Sequence, residues 1–165
     1  MTPSMTSGAS SGSRRGLEPF VRAIGLDLGT KRIGVALSDS AGNVATPYGT
    51  VTRNRDRRGD HRRIAEIASE AEAVVIVVGV AYHLDGRLSP SARSALAEVD
   101  ELRVTVGLPV ETYDERLTTV TADRSLREMN IRGDARRRVI DQVAATVMLQ
   151  AWLDHRASQP DHEAT

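Results

Sequence analysis

A chain of 165 residues with 27% charged and 40% hydrophobic residues has the balance of one soluble globular domain and is too short for two of ordinary size. Cysteine is absent, which removes disulfides, thiolate metal sites and every cysteine-based mechanism, and fits a reducing compartment. The 22 basic and 22 acidic residues cancel, so no overall field draws a polyanion, and neither a signal-peptide stretch nor an apolar run of about 20 residues is present; the expectation is a cytoplasmic protein with no membrane partner.

Residues 1–20, rich in Ser, Gly and Thr, read as a flexible N-terminal tail, and residues 157–165 as a flexible C-terminal one. Between them, residues 21–28 and 33–38 are short β-rich runs joined by Gly29, Thr30, Lys31 and Arg32, which predicts a hairpin; a third strand follows at 46–51. An arginine-rich loop then leads to a helix over 60–72, where Ile64, Ile67, Ala68 and Ala71 recur at helical spacing. The run AVVIVV at 73–78, ended by Gly79, reads as a fully buried central strand. Ser89 caps a helix with Pro90 at its first position, running to Leu102. A short strand at 110–113, a helix over 118–129 and a last helix from Ala135 to His155 complete the order. Antiparallel strands followed by alternation imply an α/β fold, a mixed five-stranded sheet with helices on both faces.

Three acids occupy the same kind of place. Asp27 lies near the end of the first strand, Glu115 just after the last strand and Asp141 on the final helix, where Ala144 and Ala145 leave room for close approach to the sheet. Three convergent carboxylates without His or Cys suit a hard cation, Mg²⁺ or Mn²⁺, and so point to phosphodiester hydrolysis. Alternatives remain for each. Asp27 could stabilise its turn, Glu115 could pair with Arg116, and Asp141 could be an acid favoured by a helix start. Asp114 rivals Glu115, because adjacent residues after a strand point in opposite directions; Glu115 is preferred.

GLDLGTKRIGVALSD at 25–39, DERLTTVTA at 114–122 and VIDQVAATVMLQAWLD at 139–154, in that order and spacing, resemble the YqgF/RuvX family over about residues 21–156. The resemblance implies an RNase H-like fold, a cytoplasmic location and a nuclease acting in 5′-end maturation of pre-16S rRNA, with Holliday-junction resolution as an older proposal for the family. It also implies that the family's acidic positions fall on Asp27, Glu115 and Asp141, as catalytic and metal-binding residues. Where many members carry Gly-Leu-Pro after the central strand, this chain has Gly79-Val80-Ala81, and the basic residues before the third motif are arginines where lysine is frequent.

Each acid has basic neighbours suited to positioning phosphates: Lys31 and Arg32 beside Asp27, Arg116 after Glu115, and Arg136, Arg137 and Arg138 one turn before Asp141. An ordinary solvated face is the competing reading, and for the arginines between Arg53 and Arg63 it weighs at least as much. Aromatics at 3% argue against a stacking platform, so backbone and shape recognition of structured RNA is expected, with branched DNA as the alternative partner and a monomer or homodimer as the active form. A nucleotide-binding protein with the phosphate hairpin of sugar kinases is disfavoured because that fold needs two such domains. A non-catalytic nucleic-acid-binding factor remains the reading from another class.

Overall fold

The structure is a computed structural model that describes residues 22–118 and 133–159. The expected N-terminal tail, the expected helix over 118–129 (save Thr118) and the last residues of the expected C-terminal tail lie outside them.

Five strands form one sheet in the order β3-β2-β1-β4-β5: β1 Ala23–Leu28, β2 Arg32–Ser38, β3 Ala45–Thr52, β4 Val75–Val80 and β5 Val110–Asp114. The first three pair antiparallel, whereas β4 and β5 run parallel to β1. Three described helices, α1 Arg57–Glu70, α2 Pro90–Val106 and α3 Asp134–Ser158, cover the two faces.

Strand alternation divides the core in two. Ile24, Leu26, Ile33, Val35, Ile76 and Val78 face α1 and α2, where Ile64, Ile67, Val99 and Leu102 meet them. The other face carries Ala23, Ala36, Val75 and Val77 against Ala145, Met148, Leu149 and Trp152 of α3. Each large side chain so buried contributes about 1.5–3 kcal/mol. The face under α3 is built from small residues, and the helix comes very close. A Cβ added to Gly34 would lie 2.1 Å from the carbonyl oxygen of Asp141.

Several boundaries differ from the expected ones for identifiable reasons. β1 starts two residues later than predicted, and Arg32 belongs to β2, so the hairpin turn has three residues rather than four. α1 begins at Arg57 rather than at residue 60 because Asp56 is its cap, accepting from the Arg58 N–H at 3.1 Å. β4 is shifted two residues along and contains Gly79 in its interior rather than ending there. α2 starts as predicted, with the Ser89 hydroxyl accepting from Ala92 N–H at 3.0 Å, but runs to Val106 and stops at Gly107. α3 extends to Ser158, so the first residues of the expected C-terminal tail are helical. Among the described residues no helix is long and apolar enough to cross a membrane.

Candidate active site

Asp27 is the last residue of β1 on the α3 side, in register with Gly34 on β2. Because Gly34 has no side chain, the α3 backbone at Asp141 settles directly over that pair of residues. This brings a carboxylate of the helix to a carboxylate of the sheet.

The third acid arrives by strand parity. In β5, Tyr113 pairs with Gly79 and Asp114 with Val80, so Asp114 shares the direction of Val80, whose side chain is fully buried away from α3. The next residue, Glu115, returns to the α3 side and lies over Gly79, where an added Cβ would come within 2.6 Å of Glu115 Oε1. Gly79 thus stands inside a strand, where glycine is usually unfavourable, because a carboxylate occupies the space that a side chain would fill. Asp114 is engaged elsewhere. It caps the 3₁₀ turn Glu115–Leu117 by accepting from Arg116 N–H at 3.0 Å, and its Oδ2 accepts from Arg116 Nη2 at 2.5 Å. That guanidinium holds the Asp114 carboxyl below its ordinary value.

The electrostatics record the convergence. Burial first, then the negative charges of Glu115 and Asp141, push the Asp27 carboxyl up to about 7. Burial and the neighbouring Asp114 raise Glu115 as well. Asp141 accepts from Arg32 Nε at 3.2 Å, so the cation beside the Asp27 turn already serves the third acid. Accumulated negative charge on hard oxygen donors fits a divalent cation such as Mg²⁺ or Mn²⁺, which would relieve the repulsion that lifts Asp27. Among the described residues, however, no group of three His, Asp or Glu side chains is drawn into a ligating set as it stands, so the three acids are neighbours rather than a closed chelate.

The predicted basic residues separate into different roles. Lys31 is exposed on the turn after β1, and Arg136, Arg137 and Arg138 are exposed on the first turns of α3, on the approach to Asp141. Arg116 forks onto Asp114, stacks over the Tyr82 ring at 5.4 Å and donates to the His83 carbonyl at 3.3 Å, which fastens the loop after β4. The arginines between Arg53 and Arg63 are largely occupied: Arg57 pairs with Glu101, Arg62 with Asp56 and Arg63 with Glu66. Arg53 reaches across 45 residues to the buried Glu98, a pairing that no local spacing announces.

Comparison with known proteins agrees with this architecture. Residues 21–155 match the family described as "RuvX: Holliday junction resolvase". A protein of Mycobacterium ulcerans named "Putative pre-16S rRNA nuclease" is 50% identical over 150 residues, which cover 88% of this chain and 87% of that one. A protein of the same name from Mycolicibacterium smegmatis is 51% identical over 138 residues, covering 82% and 81%. Among solved structures, RuvC of Thermus thermophilus in complex with a Holliday junction substrate superimposes with a TM-score of 0.54 at 16% identity, covering 86% of this chain and 99% of that one. At that identity the likeness concerns the fold, which is RNase H-like.

Proposed function

The chain belongs to the RuvX family, and from that premise we propose that it is a metal-dependent nuclease that hydrolyses phosphodiester bonds of structured RNA in the 5′-end processing of pre-16S rRNA. The observation that carries the chemistry is the meeting of Asp27, Glu115 and Asp141, with the Asp27 carboxyl lifted to about 7 by burial and by the other two acids. The choice of RNA rests on the names of relatives about half identical to this chain. The nuclease domain in this reading is residues 21–156, working in the cytoplasm.

Asp27, Glu115 and Asp141 would hold the divalent cation through carboxylate oxygens. Once bound, the cation would stabilise charge on the scissile phosphate and favour ionisation of the attacking water. The chain's own groups do the rest. As a ligand of the cation Asp27 would be ionised, its carboxylate oxygens fixing the ion against the end of β1. Lys31 and Arg136 to Arg138 stand where they can hold flanking phosphates, and Arg32 lies between Asp141 and the substrate side of the turn. Arg116 fixes the loop that borders Glu115.

The family description and the RuvC-like fold favour a second reading, resolution of four-way DNA junctions. Cleavage of a pre-16S RNA fragment and of a four-way DNA junction, side by side with Mg²⁺ or Mn²⁺, separates the two. The expected result is a cut in the RNA by the parent protein and none by Asp27→Asn. Paired nicks in the junction with the RNA left intact would transfer the function to DNA, and an Asp27→Asn protein as active as the parent would remove the proposed site.

A further inference from the structure

The turn between β1 and β2 carries Asp27 at its entry and Lys31 and Arg32 at its exit, yet it holds itself together poorly. The β1–β2 pairing stops at Leu28 and Ile33, and the turn's own backbone bond runs from Gly29 N–H to the Asp27 carbonyl at 3.1 Å. Its outward carbonyls are taken up by one residue of another element. Arg53, just past the end of β3, donates its backbone N–H to the Lys31 carbonyl at 2.9 Å and its Nε to the Gly29 carbonyl at 3.0 Å.

The far side of the same guanidinium is anchored. Nη1 and Nη2 donate to the two oxygens of Glu98 on α2 at 2.6 and 2.9 Å. Glu98 is 2% exposed and its Oε1 also meets Nε2 of His61 on α1, itself 1% exposed, at 2.8 Å. Burial alone would raise the Glu98 carboxyl, but the bonds from Arg53 and His61 outweigh it and hold it below its ordinary value. Glu98 is therefore a charged post fixed between two helices, and Arg53 is the bracket that runs from it to the turn. A buried ion pair is a poor source of net stability, because desolvation offsets the attraction, whereas its geometry is strongly directional.

We propose that Arg53 is a positioning residue for the nuclease site: by bonding the Gly29 and Lys31 carbonyls from an anchor on Glu98 and His61, it fixes the turn that sets Asp27 relative to Lys31 and Arg32. The proposal rests on the assignment of Asp27 to the site. It acts through the turn and touches no substrate. Lysine cannot replace it, since one ammonium cannot serve both the Glu98 carboxylate and the Gly29 carbonyl as a planar fork does.

The test compares the parent with Arg53→Lys, and with Val99→Ala as a packing control in α2 that makes no contact with the turn through hydrogen bonds. Two readouts are taken: amide hydrogen exchange across residues 28–32, and kcat and KM for cleavage of a pre-16S RNA fragment with Mg²⁺. In Arg53→Lys, exchange in the turn should rise about tenfold or more while the buried strand at Ile24 to Leu26 keeps its protection. Its kcat should fall by about tenfold with KM little changed, as expected when transition-state alignment and not substrate binding is lost. Val99→Ala should lower the melting temperature and leave turn exchange and kcat near the parent. Unchanged turn exchange in Arg53→Lys overturns the bracket, and raised exchange with parental kcat overturns its role in the reaction. So does a Val99→Ala protein that loses kcat to the same degree. A parent protein that leaves the RNA intact would count against the nuclease reading, and the exchange measurement would still decide the bracket.

Discussion

Replacing Asp27 by Asn should stabilise the protein in the absence of divalent cations, and only above about pH 4. Asp27 titrates near 7 in the folded chain against an ordinary value of 3.8. Between those values the folded state keeps a proton that the unfolded state has released, so stability falls as pH rises through that window and is constant above it. The full separation corresponds to about 4 kcal/mol, and because Asp27 is only partly buried, water screens some of it, leaving roughly 2–4 kcal/mol. For a domain of this size each kcal/mol moves the melting temperature by about 2–4 °C, so Asp27→Asn should melt roughly 4–16 °C above the parent at pH 8. The two should converge near pH 4, where the aspartate is protonated in both states. Thermal and urea unfolding of both proteins in EDTA from pH 4.5 to 8.5 measures the difference directly. A difference that stays flat across this range would refute the electrostatic account of the site. Adding Mg²⁺ at pH 8 should raise the parent toward the variant, because an ion bound only by the folded state stabilises it.

Gly34→Ala should cost about 1–3 kcal/mol or more by forcing a Cβ into the Asp141 carbonyl, and should lower RNA cleavage more than tenfold by lifting Asp141 from Asp27; an unaltered urea midpoint would contradict the close contact. Arg32→Met frees Asp141 from its cation, so Mn²⁺ affinity by calorimetry should tighten by about fivefold, the equivalent of about 1 kcal/mol for a partly exposed ion pair. Weaker binding of the ion would show that Arg32 supports the site instead of competing for it. Ser89→Ala removes both the cap on Ala92 N–H and the bond to the Ala81 carbonyl at 2.6 Å, and should cost about 1–2 kcal/mol in chemical unfolding with cleavage preserved.

The strands and the two cores follow from patterns that the sequence displays openly, because alternation and helical spacing are local, whereas the approach of Asp27, Glu115 and Asp141 depends on how three distant elements are laid together. Gly79 illustrates what is not local. A glycine after a β-branched run reads as a strand end, and only the arrival of Glu115 from the neighbouring strand shows why it belongs inside. Asp56 was masked as a helix cap by the crowd of charges around it. The arginines from Arg53 to Arg63 read as one basic surface, yet Arg53, Arg57, Arg62 and Arg63 each pair with a carboxylate, by different routes. Arg63 meets Glu66 one turn away, whereas Arg53 meets Glu98 only after the chain has passed through α1, β4 and the first half of α2. Asp114 and Glu115 were separable only by pairing register, since parity needs a partner strand to define inside and outside.

Asp27 and Gly34 sit side by side across two strands, and the backbone of Asp141 rests on the second of them. The spacing between the sheet's acid and the helix's acid is therefore gauged by a residue that contributes no atoms beyond its own main chain. Any side chain there would act as a shim, widening the gap that the two carboxylates would close around the proposed ion. A single hydrogen atom at position 34 thus calibrates the width of the site, and selection on which cation it accepts would act on a residue that never touches one.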